Sequence, residues 1–384
     1  MKLKDFTARK KWYRYMTILQ KLYEMDWVLV FLLSVLAFIG MSMLYSVAGG
    51  NFQPWAVKQA VRFIMALFFM IVVAVVDIRI WYKLAWPLFF ASVGLLVAVE
   101  LVGEVGMGAQ RWIDLKVIKL QPSEIMKISV ILVVARFYNR LNLYQVSSFW
   151  HVTWLFGILA IPVILVFRQP DLGTAILIVA GGLGVGLVAG ISWKWFTAGA
   201  VGLAGLIPLV WTFILRPYQQ NRVRVFLDSE LDPLGKGYNI IQSKITIGSG
   251  GMTGRGFMQG TQSNLGFLPE RHTDFIFAVV AEELGFVGAI SLLLLIFTIL
   301  FKTMIIAINT SSKFAKLMTM GMGITFFLYI FINAGMVMGL LPVVGVPFPL
   351  LSYGGTVMIT VMVAFGFVQN AHIHRYRENP ELPA

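Results

Sequence analysis

No cysteine occurs in this 384-residue chain, which excludes a disulfide framework and any thiolate metal site. Charge is also scarce. Asp, Glu, Lys and Arg make up 13% of the residues, and the acids are the rarer sign, 18 against 31 Lys and Arg, for a formal net charge of +13. There is no internal repeat, no low-complexity tract and no shift in composition that would mark a soluble domain boundary. Apolar residues fill the chain instead: 58% hydrophobic, with 30 Phe and 11 Trp, and a mean hydropathy of +0.80. A soluble globular domain carries about 25% charged residues, so the composition excludes that class and predicts an integral membrane protein.

Apolar runs of spanning or near-spanning length recur at 27–47, 56–76, 84–102, 125–137, 152–167, 172–191, 196–215, 275–301, 314–339 and 352–369. A bilayer core of about 30 Å takes about 20 helical residues, so the expected fold is all-α, a polytopic bundle of ten transmembrane helices. An even count puts both termini on one side. Lys and Arg gather on the cytoplasmic side of membrane proteins. Here Lys2, Lys4, Arg9, Lys10, Lys11, Arg14 and Lys21 precede the first run and Arg375 and Arg377 follow the last, while the connections 48–55 and 340–351 carry none. Both termini are therefore expected in the cytoplasm, and the loop before Asp274 outside. The basic amino-terminal segment is expected to lie against anionic headgroups, so the net charge calls for no nucleic acid. No cleaved signal peptide is expected, because the first apolar run is about 20 residues long and further spans follow it. The expected organisation is a basic cytoplasmic segment 1–26, a membrane domain 27–371 and a cytoplasmic tail 372–384.

Two segments on the expected outer side are longer than turns. The first, 103–121, contains Arg111, Trp112, Asp114, Lys116 and Lys119. The second, 216–273, lies between the seventh and eighth helices and is polar and glycine-rich; loops of that length are usually functional or disordered. Apolar and polar residues alternate from Tyr238 to Ile247, which predicts an amphipathic stretch on or dipping into the interface. The span after the first loop opens with Gln121, Pro122, Ser123 and Glu124 and runs for roughly sixteen apolar residues, about 24 Å. It is expected to begin below the outer surface, so that Glu124 and Lys127, three apart on one face, line a cavity open to that side. Two readings stand: a capped helix start with a self-neutralising ion pair, or a functional pair, as is the default for ionisable residues at membrane depth.

Asp274 is similarly divided. Thr273 and Asp274 before Phe275 and Ile276 are ordinary N-cap residues, and a carboxylate where a polar loop meets a hydrophobic helix is also an address for chemistry at a membrane surface. Glu282 and Glu283, two turns further in, either bond polar groups of neighbouring helices or join the same cavity. The glycines at 248, 250, 251, 254 and 256 read as a flexible loop, since the phosphate-loop consensus is absent although such a segment can wrap phosphate. Asp171 reads as the N-cap of the helix that follows; the stiff loop of Pro342, Pro347 and Pro349 before Ser352 either folds back toward the cavity or is a plain turn ended by Ser352 as an N-cap.

Five motifs stand in order: GAQRWI at 108–113, QPSEIMK at 121–127, QPDLGTA at 169–175, GTQSNLGFLPERHTDFIFAVVAEELGFVG at 260–288 and LPVVGVPFPLLSYGG at 341–355. Together they resemble the SEDS family (shape, elongation, division and sporulation) over nearly the whole chain, 27–374. The GTQS stretch is more similar to the elongation branch than to the division branch, and the basic amino-terminal extension is the visible departure. The resemblance implies a ten-helix peptidoglycan glycosyltransferase that polymerises lipid II at the outer face of the bacterial inner membrane, for cell elongation and rod shape. It also implies a class B penicillin-binding protein as transpeptidase partner, and dependence on a divalent cation, Mg or Mn, for which the sequence displays no ligand constellation. By resemblance, Asp274 matches the catalytic aspartate, and Glu124 and Lys127 a functional pair expected to be catalytic with it. The surrounding motif residues Arg111, Gln121, Ser123, Gln169, Asp171, Arg271, His272, Thr273 and Ser352 are expected to bind substrate.

The implied chemistry suits these residues. Joining a sugar 4-hydroxyl to an anomeric carbon, with an α-linked polyprenyl pyrophosphate leaving and a β linkage made, is one inverting displacement that needs a base and no covalent intermediate. A free Asp has a pKa of about 3.9; burial or a neighbouring carboxylate raises it toward a useful value. The departing pyrophosphate needs positive charge, for which Lys127, Arg111, Arg222, Arg224 and Arg271 are candidates. Two other classes compete. A lipid II flippase would suit a ten-helix protein with intramembrane charges, but the inverted repeat common in transporters is not visible. A non-catalytic scaffold for the penicillin-binding protein would use small residues such as Gly321, Gly323, Gly335 and Gly339 for close packing, which equally serve the bundle itself.

Overall fold

Backbone amides and carbonyls have no partner in hydrocarbon other than each other, so apolar segments close their hydrogen bonds as helices. Helices occupy all ten stretches that the hydropathy pattern marks. The structure, a computed structural model, describes residues 16–106, 109–114, 119–214, 217–228, 236–268 and 270–377. The basic residues before Met16, together with Gly108, Lys116 and the tail beyond Arg377, lie outside these, as do the side chains of Asp114, Lys119 and Arg222.

A short α1 (Ile18–Tyr23) leads into α2 (Trp27–Val47), α3 (Ala56–Val75) and α4 (Ile78–Val102). The first of the two long loops folds into a small antiparallel sheet in the order β1 (Glu104–Gly106), β2 (Ala109–Asp114), β3 (Lys119–Leu120). Then come α5 (Pro122–Asn139), a short α6 (Leu143–Val146), α7 (Phe149–Arg168), α8 (Leu172–Ala189) and α9 (Trp193–Leu209), which runs into a π turn at Val210–Ile214. The long loop holds α10 (Pro217–Leu227), α11 (Lys236–Ser249) and α12 (Thr261–Asn264), and the chain ends with α13 (Ile276–Asn309), α14 (Lys313–Val337) and α15 (Gly355–Ile373). Eight of these helices are long and apolar enough to cross a membrane. The other two expected spans are α5, which carries Glu124, Lys127 and Arg136, and α9, 17 residues before its π turn.

The central position of α5 explains how it tolerates charge. It packs against α4, α8 and α14 and is buried along most of its length, so its ionisable side chains face protein. The two described ends of the chain meet at one end of the bundle, where Arg375 pairs with Glu24 at 2.7 Å and Gln369 bonds the Asp26 backbone in both directions at 2.9 Å. Lys302 on α13 pairs with Asp26 at the same end. Asp274, before the first residue of α13, is therefore at the opposite end.

The long loop differs most from expectation. Its alternating stretch is a helix, α11, which turns Ser243 and Thr246 inward and leaves Ile241 and Ile245 exposed; Ser243 Oγ donates to the Val337 carbonyl at 2.7 Å. The glycine-rich segment is neither a flexible loop nor a phosphate cradle. α13 breaks at Gly285 (φ 68°, ψ −168°), a conformation suited to glycine, and the break frees carbonyls and amides that helix would have paired. The loop supplies their partners: Arg255 N to Glu282 O at 2.9 Å, Gly256 N to Glu283 O at 3.0 Å, Phe286 N to Gly251 O at 2.9 Å and Val287 N to Met252 O at 3.1 Å.

The two glutamates complete the seam. Glu282 accepts from the Gln262 and Ser263 amides at 2.7 and 3.0 Å, and Glu283 accepts from the Met258 amide at 3.2 Å and from Ser46 Oγ. Of the two readings of this pair, bonding to neighbouring polar groups is the one realised. Gly254 has φ +82°, and a Cβ there would overlap the Glu283 carbonyl oxygen, whereas a Cβ at Gly248 meets nothing within 4 Å. Gly254→Ala is expected to cost about 2 kcal/mol or more, as strain and overpacking do, and Gly248→Ala to leave stability level or slightly raised. Thermal unfolding of the two purified variants in detergent checks this.

Candidate active site

The turn before α13 is fixed from its backbone. The helix starts at Ile276 with Phe275 as its N-cap, which offers no capping side chain, and Thr273 Oγ1 donates backward, to Glu270 O at 3.2 Å and Glu270 Oε2 at 3.0 Å. Neither Thr273 nor Asp274 caps the helix, which overturns that reading. The Asp274 carbonyl instead accepts from Asn333 Nδ2 at 2.8 Å, and the same amide donates to Val346 O at 2.7 Å. Among the described residues no hydrogen bond reaches the Asp274 carboxylate, which is half-buried. Gly345 flanks it closely enough that a Cβ there would be 3.7 Å from Oδ2. Burial first, and the Glu270 charge second, push the Asp274 carboxyl up to about 6.

The proline-rich loop 341–354 is latched onto this turn. Ser352 Oγ donates to Thr273 O at 2.5 Å and accepts from Phe348 N at 2.8 Å, Tyr353 N donates to His272 O at 2.8 Å, and Gln59 on α3 donates to Ser352 O at 2.9 Å. Ser352 is thus a latch and not the expected N-cap; α15 begins after Gly354 with no capping side chain. The His272 ring stacks on Trp55 with centroids 4.7 Å apart. Burial lowers the His272 pKa, partly offset by Glu270, which favours a neutral ring.

Glu124 and Lys127 lie 2.6 Å apart and are 3% and 2% exposed. The pair is thus buried and self-neutralising, and the open space it meets is bordered by Lys127 and not by Glu124. Tyr329 on α14 closes it, donating to Glu124 Oε2 at 2.8 Å and bonding Lys127 Nζ. Lys127 and Tyr329 also border a small pocket between α5, α14 and α15, with Ile131, Phe326, Val361 and Phe365 among its lining.

The remaining predicted residues form a second polar knot beside this pair. Asp171 does cap α8, accepting from Thr174 N at 3.2 Å, and its other oxygen accepts from Gln121 Nε2 at 3.3 Å with Arg111 4.0 Å away. Arg111 also donates to Gln169 O at 3.0 Å and to Pro170 O, while Gln169 donates to Leu96 O at 2.9 Å. Ser123 is buried next to Glu124. One Arg271 guanidinium nitrogen, Nη1, is buried without a partner among the described residues. Arg224 lies over Trp211, outside the knot.

Two structural links join the Asp274 turn to the Glu124–Lys127 pair. Tyr329 and Asn333 stand one turn apart on α14. Val344 and Val346 sit over Gly173 at the start of α8, where a Cβ would be 2.7 Å from Val346 Cγ2. Tyr329, Asn333 and Gln59 escaped the sequence reading, although each is a polar residue inside an apolar run and so carried the signal used for Glu124. Among the described residues no three His, Asp or Glu side chains converge as ligands for the Mg or Mn that the resemblance implies.

Comparison with known proteins gives the same direction. The family described as cell cycle protein, covering FtsW, RodA and SpoVE, matches residues 20–377. The peptidoglycan glycosyltransferase MrdB of Escherichia coli is 48% identical over 313 residues, 81% of this chain and 84% of its own length. A solved chain from a peptidoglycan synthase complex that coordinates polymerization and crosslinking superposes with a TM-score of 0.81 at 32% identity, covering 92% of this chain and 99% of that one. The rod shape determining protein RodA of Thermus thermophilus superposes with a TM-score of 0.70 at 28% identity, covering 92% and 98%.

Proposed function

We propose a catalytic reading from one premise: the chain belongs to the SEDS family that includes FtsW, RodA and SpoVE. It is a multi-pass inner-membrane peptidoglycan glycosyltransferase of the rod-elongation kind, and it works with a class B penicillin-binding protein. In the proposed reaction Asp274 is the general base. The 4-hydroxyl of one lipid II sugar gives its proton to the Asp274 carboxylate as its oxygen bonds the anomeric carbon of another. The bond from that carbon to the pyrophosphate oxygen breaks, polyprenyl pyrophosphate leaves, and the α linkage becomes β.

The observation that carries this reading is the Asp274 carboxyl: half-buried, bound by no other described group, and raised to about 6. It is ionised near neutral pH yet more basic than an ordinary carboxylate, the compromise that general-base catalysis wants. Of the cations weighed from the sequence whose side chains are described, Lys127 and Arg111 are neutralised by acids. Arg271 keeps a free guanidinium nitrogen three residues from Asp274 and is assigned to the pyrophosphate. Glu124, Lys127 and Tyr329 hold α5 against α14 beneath the base. Gln121, Ser123, Gln169, Asp171, His272, Thr273 and Ser352 shape the site around it.

Ten crossings, both termini in the cytoplasm and the Asp274 end toward the periplasm complete the proposal. The Lys and Arg distribution and the meeting of the two chain ends support it. The test is the full-length protein reconstituted with its transpeptidase partner and lipid II. Glycan polymer is expected, sensitive to a chelator. Its rate should fall as the pH drops through about 6, because protonated Asp274 cannot accept a proton. Lipid II carried across the bilayer without polymer would favour a flippase instead.

A further inference from the structure

Resting on the polymerase reading, we propose that Asn333 is a positioning residue for the base. It pins the Asp274 peptide to the Val346 loop and so holds the carboxyl group in its half-buried seat beside Gly345.

Asn333 is 0% exposed and sits in the last turns of the apolar helix α14, where a buried amide is expensive unless bonded. Both its N–H groups are used, one on Asp274 O at 2.8 Å and one on Val346 O at 2.7 Å, while Oδ1 has no partner. A donor alone is therefore what this position requires: a rotated amide, or a carboxylate, would aim oxygen at two carbonyl oxygens. The two carbonyls belong to segments more than seventy residues apart in sequence, and α14 is the surface on which they meet. From its own turn, Glu270 is the charge that acts on the Asp274 carboxyl, while the His272 ring is stacked on Trp55. From the loop comes uncharged Gly345, and from α14 Asn333, on the peptide carbonyl; one turn back along α14, Tyr329 ties up Glu124 and Lys127. Asn333 touches no reacting atom, so its loss acts through Asp274.

The experiment compares wild type, Asn333→Leu, Asn333→Asp and Asn333→Gln in the reconstituted full-length complex with lipid II. Asn333→Leu and Asn333→Asp are expected to lose about 100-fold in kcat, the scale of a misplaced catalytic group, with KM for lipid II little changed. The acid limb of the Asn333→Leu pH profile should move down, toward an ordinary carboxylate. Asn333→Gln, which keeps the donors, should recover part of the rate and the original limb. An activity-independent reading is the infrared carboxyl stretch of Asp274, assigned by difference from Asp274→Asn, which should titrate lower in Asn333→Leu than in wild type. A folded Asn333→Leu protein with unchanged kcat, limb and carboxyl titration overturns the proposal. If wild type makes no glycan the polymerase reading fails, and the infrared titration still decides whether Asn333 seats the carboxyl.

Discussion

Asp274→Asn is expected to lower glycan polymerisation by about 10²–10⁴-fold, the usual contribution of a general base, without loss of fold. The amide is isosteric, and the contact that fixes this turn to α14 is made by the Asp274 backbone carbonyl, which the substitution leaves alone. Stability should move the other way from activity. Because the folded-state pKa is raised to about 6 from 3.8, the folded protein disfavours the ionised side chain. The native carboxylate therefore costs stability at neutral pH and ceases to cost it as the pH falls through about 6. The variant should melt at or above wild type at pH 7.5, with the difference shrinking below pH 6. Retained polymerisation in the variant would remove Asp274 as the base.

Lys127→Met should do the opposite and damage the fold. It leaves Glu124 buried and unpaired among α5, α8 and α14, and removing one partner of a buried ion pair costs about 3–5 kcal/mol. The double change Glu124→Gln with Lys127→Met removes both charges and should recover most of that loss, since uncharged residues of similar size replace a buried pair at little cost. Polymerisation should stay low in the double variant if the pair sets the geometry of α14 under Asn333. Unfolding midpoints of the two single variants and the double one, taken as a cycle, measure the coupling. Additive effects would mean that the pair is not a unit.

The helices were legible because burial in lipid leaves one hydrogen-bonding solution for an apolar run, and hydropathy alone reports it. The site was half legible. Glu124, Lys127 and Asp274 are visible as ionisable groups at helix starts, but composition could not decide whether such groups cap, pair or react. What separates them is the partner: Tyr329 for the pair, and for Asp274 a carboxylate that no hydrogen bond reaches among the described residues. Asn333 and the Val346 carbonyl meet only in three dimensions. The glycine run from 248 to 256 misled for a related reason. Glycine signals backbone freedom, and here the freedom serves a close approach to another broken backbone, a use indistinguishable in sequence from a mobile loop.

The interruption at Gly285 divides α13 mechanically. Its lower half, from Phe286 to Asn309, shares no unbroken ladder with the nine residues that follow Asp274 and Phe275, so a push on that half is not conveyed along a rigid rod. It passes sideways, into the helices packed on α13 and into residues 251–256, which bond both sides of the break. The Asp274 turn is thereby held less by the far half of its own helix than by its neighbours, Asn333 on α14 and Ser352 of the proline-rich loop.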